Sequence, residues 1–181
     1  AMAGLLFEGN AVYQKPEAGK DNIPSWAFLP WVLGQCENMA EAESLLERLN
    51  LTDLPFSEEL PPSPLHWMIA DRARSIVVES MADGLHVYEN PVGVLTNNPP
   101  FDYQMYHLAT FMNLTRHPAE NRFSDKIELH PYSLGLGSAG LPGDLSSPSR
   151  FVKAAFTKLN SLSGASESES ISQFFHILGS V

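Results

Sequence analysis

Between Leu65 and Asn97 the sequence holds four short runs rich in β-branched and aromatic residues, LHWMIAD, SIVVESM, LHVYEN and VGVLTN, separated only by RAR, ADG and NP. Connections this short join neighbouring strands as hairpins and leave no room for a parallel crossover, so the stretch reads as an antiparallel meander. SIVVE is almost continuously apolar, as a strand covered on both faces would be. Leu85 and Val87 alternate with His86 and Tyr88 like a half-exposed one. Helices must therefore cover at least one face of the sheet.

The rest of the chain supplies them. The opening AMAGLLFEGNAVY reads as a strand, and from Pro24 the pattern turns helical, with Trp26, Phe28, Leu29, Trp31, Val32 and Leu33 on a helix that Pro30 should kink. NMAEAESLLERL sets Met39, Ala42, Leu45, Leu46 and Leu49 on one stripe and its glutamates on the other. TDLPFSEELPPSP is too rich in proline for regular structure and leaves Phe56 and Leu60 on a loop. FDYQMYHLATFMNL has helical spacing, and Pro131 to Pro148 reads as a long ordered loop. Ser147 and Pro148 serve as N-cap and first turn of a helix whose stripe is Phe151, Val152, Ala155, Phe156 and Leu159. SGASESES reads as a solvated linker before a last short helix, ISQFFHIL. Both ends look interrupted.

At 181 residues the chain is expected to form a single domain. With 44% hydrophobic and 18% charged residues its composition is globular. A formal charge of -10 and the lack of a basic stripe argue against nucleic acid. No apolar run is long enough to span a bilayer and no signal peptide is evident, so no membrane partner is expected. A single cysteine, Cys36, excludes an internal disulfide framework and fits a reducing, cytoplasmic setting.

GLGSAGLPGD contains a literal G-x-G-x-x-G at Gly135, Gly137 and Gly140, but the preceding HPYSL is a poor strand, LPGD intervenes before the helix, and LNSLSG offers no acidic residue for a ribose. A nucleotide site is not predicted. Cys36 reads as a packed core thiol and not a nucleophile. His66 and His86 lack a third ligand at metal-like spacing and read as structural, so neither metal nor cofactor is expected. Phe56 and Leu60 either cap the edge of the core or line an apolar pocket, and composition leaves those readings even.

The run PLHWMIADRARSIVVESMADGLHVYENPVGVLTNNPPFDYQM, with NRFSD and GLPGDLSSPSRFVKAAF, resembles the central portion of the bacterial choloylglycine hydrolases, the family of bile salt hydrolases and penicillin V acylases. The resemblance extends from AGLLF to FFHILGSV and is closer to the bile salt branch. It implies an α+β fold, an N-terminal nucleophile hydrolase (Ntn-hydrolase) αββα sandwich with antiparallel sheets, here incomplete at both ends. It also implies hydrolysis of the amide joining glycine or taurine to a bile acid, without a cofactor, by an enzyme that is a homotetramer in the family. In that mechanism an N-terminal cysteine attacks and its own amine is the base. By the resemblance, Asn97 in LTNNP matches an oxyanion donor and Arg150 in SRF an arginine beside the nucleophile. Phe56 and Leu60 match the loop that closes over the steroid.

The sequence departs from the family at several points. Residue 1 is Ala and residue 2 is Met, so no N-terminal thiol is present, and the arginine and aspartate that follow the nucleophile in the family have no counterpart. Leu6 stands in AGLLF where the family has an asparagine, and the family's C-terminal portion is absent. The expectation is an internal portion of the domain, inactive by itself, within a parent that cleaves conjugated bile salts. The alternatives are a non-catalytic bile-acid-binding or scaffold fragment, and an amidase of the penicillin V acylase type.

Overall fold

The computed structural model describes residues 1–181, which divide into two compact units, Ala1–Asp102 and Tyr103–Val181. The first is built on a four-stranded antiparallel sheet in the order β1-β4-β5-β6, from β1 (Met2–Leu6), β4 (Leu65–Ala70), β5 (Ser75–Met81) and β6 (Gly84–Glu89). Three of the four expected meander runs are strands of this sheet. The fourth, VGVLTN, is not. Asn90 turns the chain out of the ladder: its Oδ1 accepts from the Gly93 amide at 2.8 Å, and its Nδ2 donates to the Val94 carbonyl at 3.0 Å. Gly93 takes a left-handed φ of 60° that suits glycine. β1, from the start of the chain, fills the place beside β4, with Leu5 opposite His66.

Two helices cover one face of the sheet. Trp67 and Ile69 of β4 and Ile76 and Val78 of β5 form one cluster with Phe28 and Val32 of α1 (Phe28–Leu33) and Met39, Ala42 and Leu46 of α2 (Met39–Leu46). Phe28 meets Trp67 edge to face at 4.9 Å. Full burial of such a side chain contributes about 1.5–3 kcal/mol. Pro30 does not kink α1. A 3-10 turn occupies Ser25–Ala27 and the helix begins at Phe28, which places Pro30 in the first turn, where no intrahelical N–H is needed. α2 starts at the cap Asn38, whose side chain accepts from the Glu41 amide at 3.1 Å. It ends before Leu49, which opens β3 (Leu49–Thr52) in place of extending the helical stripe. β3 pairs with β2 (Asp21–Pro24) in parallel, so the second, smaller sheet differs from the antiparallel pairing expected.

α3 (Phe101–Leu108) leads into the second unit, which is otherwise a long irregular segment and the two helices α4 (Ser147–Asn160) and α5 (Glu167–Gly179). The cap of α4 is Ser146, one residue before the serine expected, and Pro148 falls in the first turn. Phe151, Val152, Ala154 and Ala155 are buried, whereas Leu159, expected on the same stripe, is exposed near the C-terminal end. ESES belongs to α5 and not to a linker, because Ser166 and Glu169 form a reciprocal capping box that starts the helix at Glu167. No helix is long and apolar enough to cross a membrane.

Candidate active site

On the sheet face opposite the Trp67 cluster the first unit carries a buried polar arrangement. His66 and Glu79, which follow the Trp67–Val78 pair in register, are both fully buried. His66 Nδ1 lies 2.8 Å from Glu79 Oε1, and Nε2 lies 2.7 Å from the Thr96 carbonyl oxygen. A carbonyl only accepts, so Nε2 carries a proton. Nδ1 and Oε1 share the other hydrogen bond of the ring. The Phe101 amide donates to Glu79 Oε1 at 3.1 Å and Oε2 at 3.2 Å, and Phe7 stacks on the imidazole with centroids 4.3 Å apart. His66 is thus fully hydrogen-bonded, as a structural histidine should be. His86, the other strand histidine, reaches Asp83 at the surface at 2.9 Å.

This network holds the segment that bears Asn97. Asn97 Nδ2 donates to the Leu6 carbonyl at 2.8 Å, and Asn98 Nδ2 donates to the carbonyl of Glu8. A primary amide has two coplanar N–H bonds, so holding one at Leu6 sets the direction of the other. Leu6 therefore takes part through its backbone, although its side chain offers no donor.

Phe56 and Leu60 are brought together by a tight turn in which the Phe56 amide donates to the Leu60 carbonyl and the Leu60 amide to the Ser57 carbonyl, each at 3.2 Å. Both side chains are open to solvent, Phe56 at 63% and Leu60 at 56%. Trp26, which spacing had assigned to a helix stripe, joins them: it meets Phe56 edge to face at 5.1 Å and anchors its Nε1 on the Leu54 carbonyl at 3.2 Å. At 48% exposure it extends the apolar surface.

Arg150 lies in the second unit, on the first turns of α4, where its amide donates to the Ser146 carbonyl at 2.9 Å and its Nε to the Leu145 carbonyl at 3.1 Å. Asp144 braces this helix start. Hydrogen bonds from the Ser146 and Ser149 hydroxyls and the Ser146 amide hold its carboxyl down at about 2. The glycine-rich segment before it has a packing role: a Cβ on Gly137 would come within 2.2 Å of the His117 carbonyl oxygen, and the Thr115 amide donates to the Gly137 carbonyl at 2.9 Å. Those contacts hold Gly137 against residues 115–117 of its own unit. Asn97 and Arg150 belong to different units.

All 181 residues match the family described as linear amide C–N hydrolases, choloylglycine hydrolase family. The chain is 56% identical over 180 residues to a bile salt hydrolase/transferase of Lactiplantibacillus plantarum, covering 99% of this chain and 56% of that one. It is 41% identical over 184 residues to a bile salt hydrolase/transferase of Bifidobacterium longum, covering all of this chain and 57% of that one. A crystal structure of a variant of conjugated bile acid hydrolase from Clostridium perfringens superposes with a TM-score of 0.86 at 38% identity, over 99% of this chain and 56% of that one. Penicillin V acylase from Agrobacterium tumefaciens shares the fold, with a TM-score of 0.72 at 20% identity, over 99% of this chain and 49% of that one. The chain belongs to the choloylglycine hydrolase family and has its Ntn-hydrolase-like α+β fold. It spans about half the length of the curated relatives it matches.

Proposed function

We propose that the protein hydrolyses the amide bond between a bile acid and glycine or taurine, with Asn97 as an oxyanion donor and Arg150 as the cation that favours the attacking thiolate. Phe56, Leu60 and Trp26 form the apolar ledge that receives the steroid. The observation that carries this reading is the fixed amide of Asn97, held on the Leu6 carbonyl in a chain that matches the amide-hydrolase family from end to end.

The chemistry requires a thiolate to add to the amide carbonyl, giving a tetrahedral oxyanion. That oxyanion collapses as the C–N bond breaks and the leaving nitrogen takes a proton from the ammonium group of the nucleophilic cysteine. Water then cleaves the thioester to release the bile acid. A donor aimed at the oxyanion supplies roughly 3–4 kcal/mol. Cys36 does not serve as this nucleophile: its nitrogen is in a peptide bond, and burial, with the charge of Glu41, pushes its thiol up and away from the thiolate form. Cleavage therefore calls for a thiol other than that of Cys36.

The test is release of free glycine from a glycine-conjugated bile salt, measured for the full-length gene product with penicillin V in parallel. Turnover of the bile salt supports the reading. No turnover of the bile salt, or a higher kcat/KM for penicillin V, overturns it.

A further inference from the structure

We propose that His66 and Glu79 are positioning residues for Asn97, acting through the peptide that joins Thr96 to Asn97. The proposal rests on the role given to Asn97 above. A fully buried ionisable pair is a poor way to stabilise a sheet, because the desolvation of both groups offsets most of their attraction and apolar side chains of similar volume do as well or better. What this pair provides instead is direction.

Its three outward hydrogen bonds end on the backbone of one segment, on Thr96 at one end and on Phe101 at the other, and Asn97 stands between them. The Thr96 carbonyl and the Asn97 amide share a planar peptide group. Holding that carbonyl on His66 Nε2 at 2.7 Å fixes the plane from which the Asn97 Cα departs, while the Leu6 carbonyl fixes the far end of the side chain. Glu79 fixes the imidazole in turn, through Nδ1. Stacking of Phe7 on the ring keeps it from tilting. Rotation of the 96–97 peptide by a few tens of degrees would carry the side-chain amide off the line of any oxyanion.

The test separates the two ring nitrogens in the full-length gene product. In His66→Gln the longer amide places a donor where Nε2 stood. In His66→Asn the shorter one reaches Glu79 but not Thr96. The readouts are kcat and KM for a glycine-conjugated bile salt and hydrogen exchange of the peptide covering residues 94–98. The Asn variant is expected to lose at least tenfold in kcat, with KM within threefold and faster exchange. The Gln variant keeps a donor to Thr96 but gives up the brace from Glu79, so it is expected to hold a kcat at least threefold above that of the Asn variant and slower exchange than it, with KM within threefold of native. Equal losses in both, a change confined to KM, or failure of both variants to fold would overturn the proposal, since each makes His66 a residue of stability alone. If the native protein turns over no conjugated bile salt, the proposed function fails separately. Exchange then decides this inference, with faster exchange in the Asn variant than in the Gln variant supporting it and equal rates in the two variants overturning it.

Discussion

Replacing Asn97 with Ala separates the catalytic from the structural part of the account. Structurally the change removes the neutral hydrogen bond from Nδ2 to the Leu6 carbonyl at 2.8 Å, at a place open to solvent. Water can re-solvate the Leu6 carbonyl, so the loss of that bond should cost about 1 kcal/mol or less. A protein stable by about 5–15 kcal/mol stays almost wholly folded after such a loss. Catalytically the change removes an oxyanion donor worth about 3–4 kcal/mol, a fall in kcat of roughly 100- to 1000-fold. Unfolding cannot account for a fall of that size. Asn97→Asp sharpens the comparison, because a carboxylate oxygen would face the Leu6 carbonyl with no donor between them; it should lose as much kcat as the Ala variant and more stability. The assay is glycine release at saturating bile salt, beside urea unfolding of the same preparations. A kcat within threefold of native in a folded Ala variant would refute the reasoning.

Phe56→Ala should cost under about 1 kcal/mol of stability, because the ring is mostly exposed and its main partner is Trp26; KM for the bile salt should rise several-fold with kcat little changed, and an unchanged KM would contradict the ledge. Gly137→Ala should destabilise the full-length gene product by about 1–3 kcal/mol in urea unfolding, since its Cβ would stand 2.2 Å from the His117 carbonyl oxygen and 2.7 Å from that of Thr115; a shift under about 0.5 kcal/mol would mean that the loop yields freely. The Asp144 carboxyl, held at about 2 against an ordinary 3.8, adds stability that is complete above the unfolded value and is lost as pH falls through the folded one. A carboxyl NMR titration should accordingly give a midpoint near 2, and a midpoint at or above 3.8 would contradict the bracing of α4.

The parts of the fold written in local periodicity were legible from the sequence: the three meander strands, α2, and the buried stripe at the start of α4. VGVLTN was misread because β propensity competes there with the Asn90 side chain, which satisfies the backbone of the turn and leaves the Thr96 carbonyl to His66. ESES looked like solvated linker because its charges were counted while the capping box formed by Ser166 and Glu169 was not. Of the candidate site, Asn97 and Arg150 were named through the family resemblance and not through any spacing, whereas Phe56 and Leu60 stood out as apolar residues on a proline-rich loop whose pocket reading the resemblance favoured. Trp26 and Glu79 were missed for a shared reason: each meets its partner across a long stretch of chain, Trp26 with Phe56 and Glu79 with His66, and no local pattern marks such a pair. The His66 imidazole was read as structural; its partners follow from strand register, which a single sequence states only weakly.

The most direct measurement is a crystal structure of the full-length gene product with the product bile acid bound. The account predicts Asn97 Nδ2 within about 3 Å of a carboxylate oxygen of the bile acid, with the steroid rings against Phe56 and Trp26. A bile acid bound with its carboxylate more than about 5 Å from Asn97, beyond any direct hydrogen bond, would contradict it.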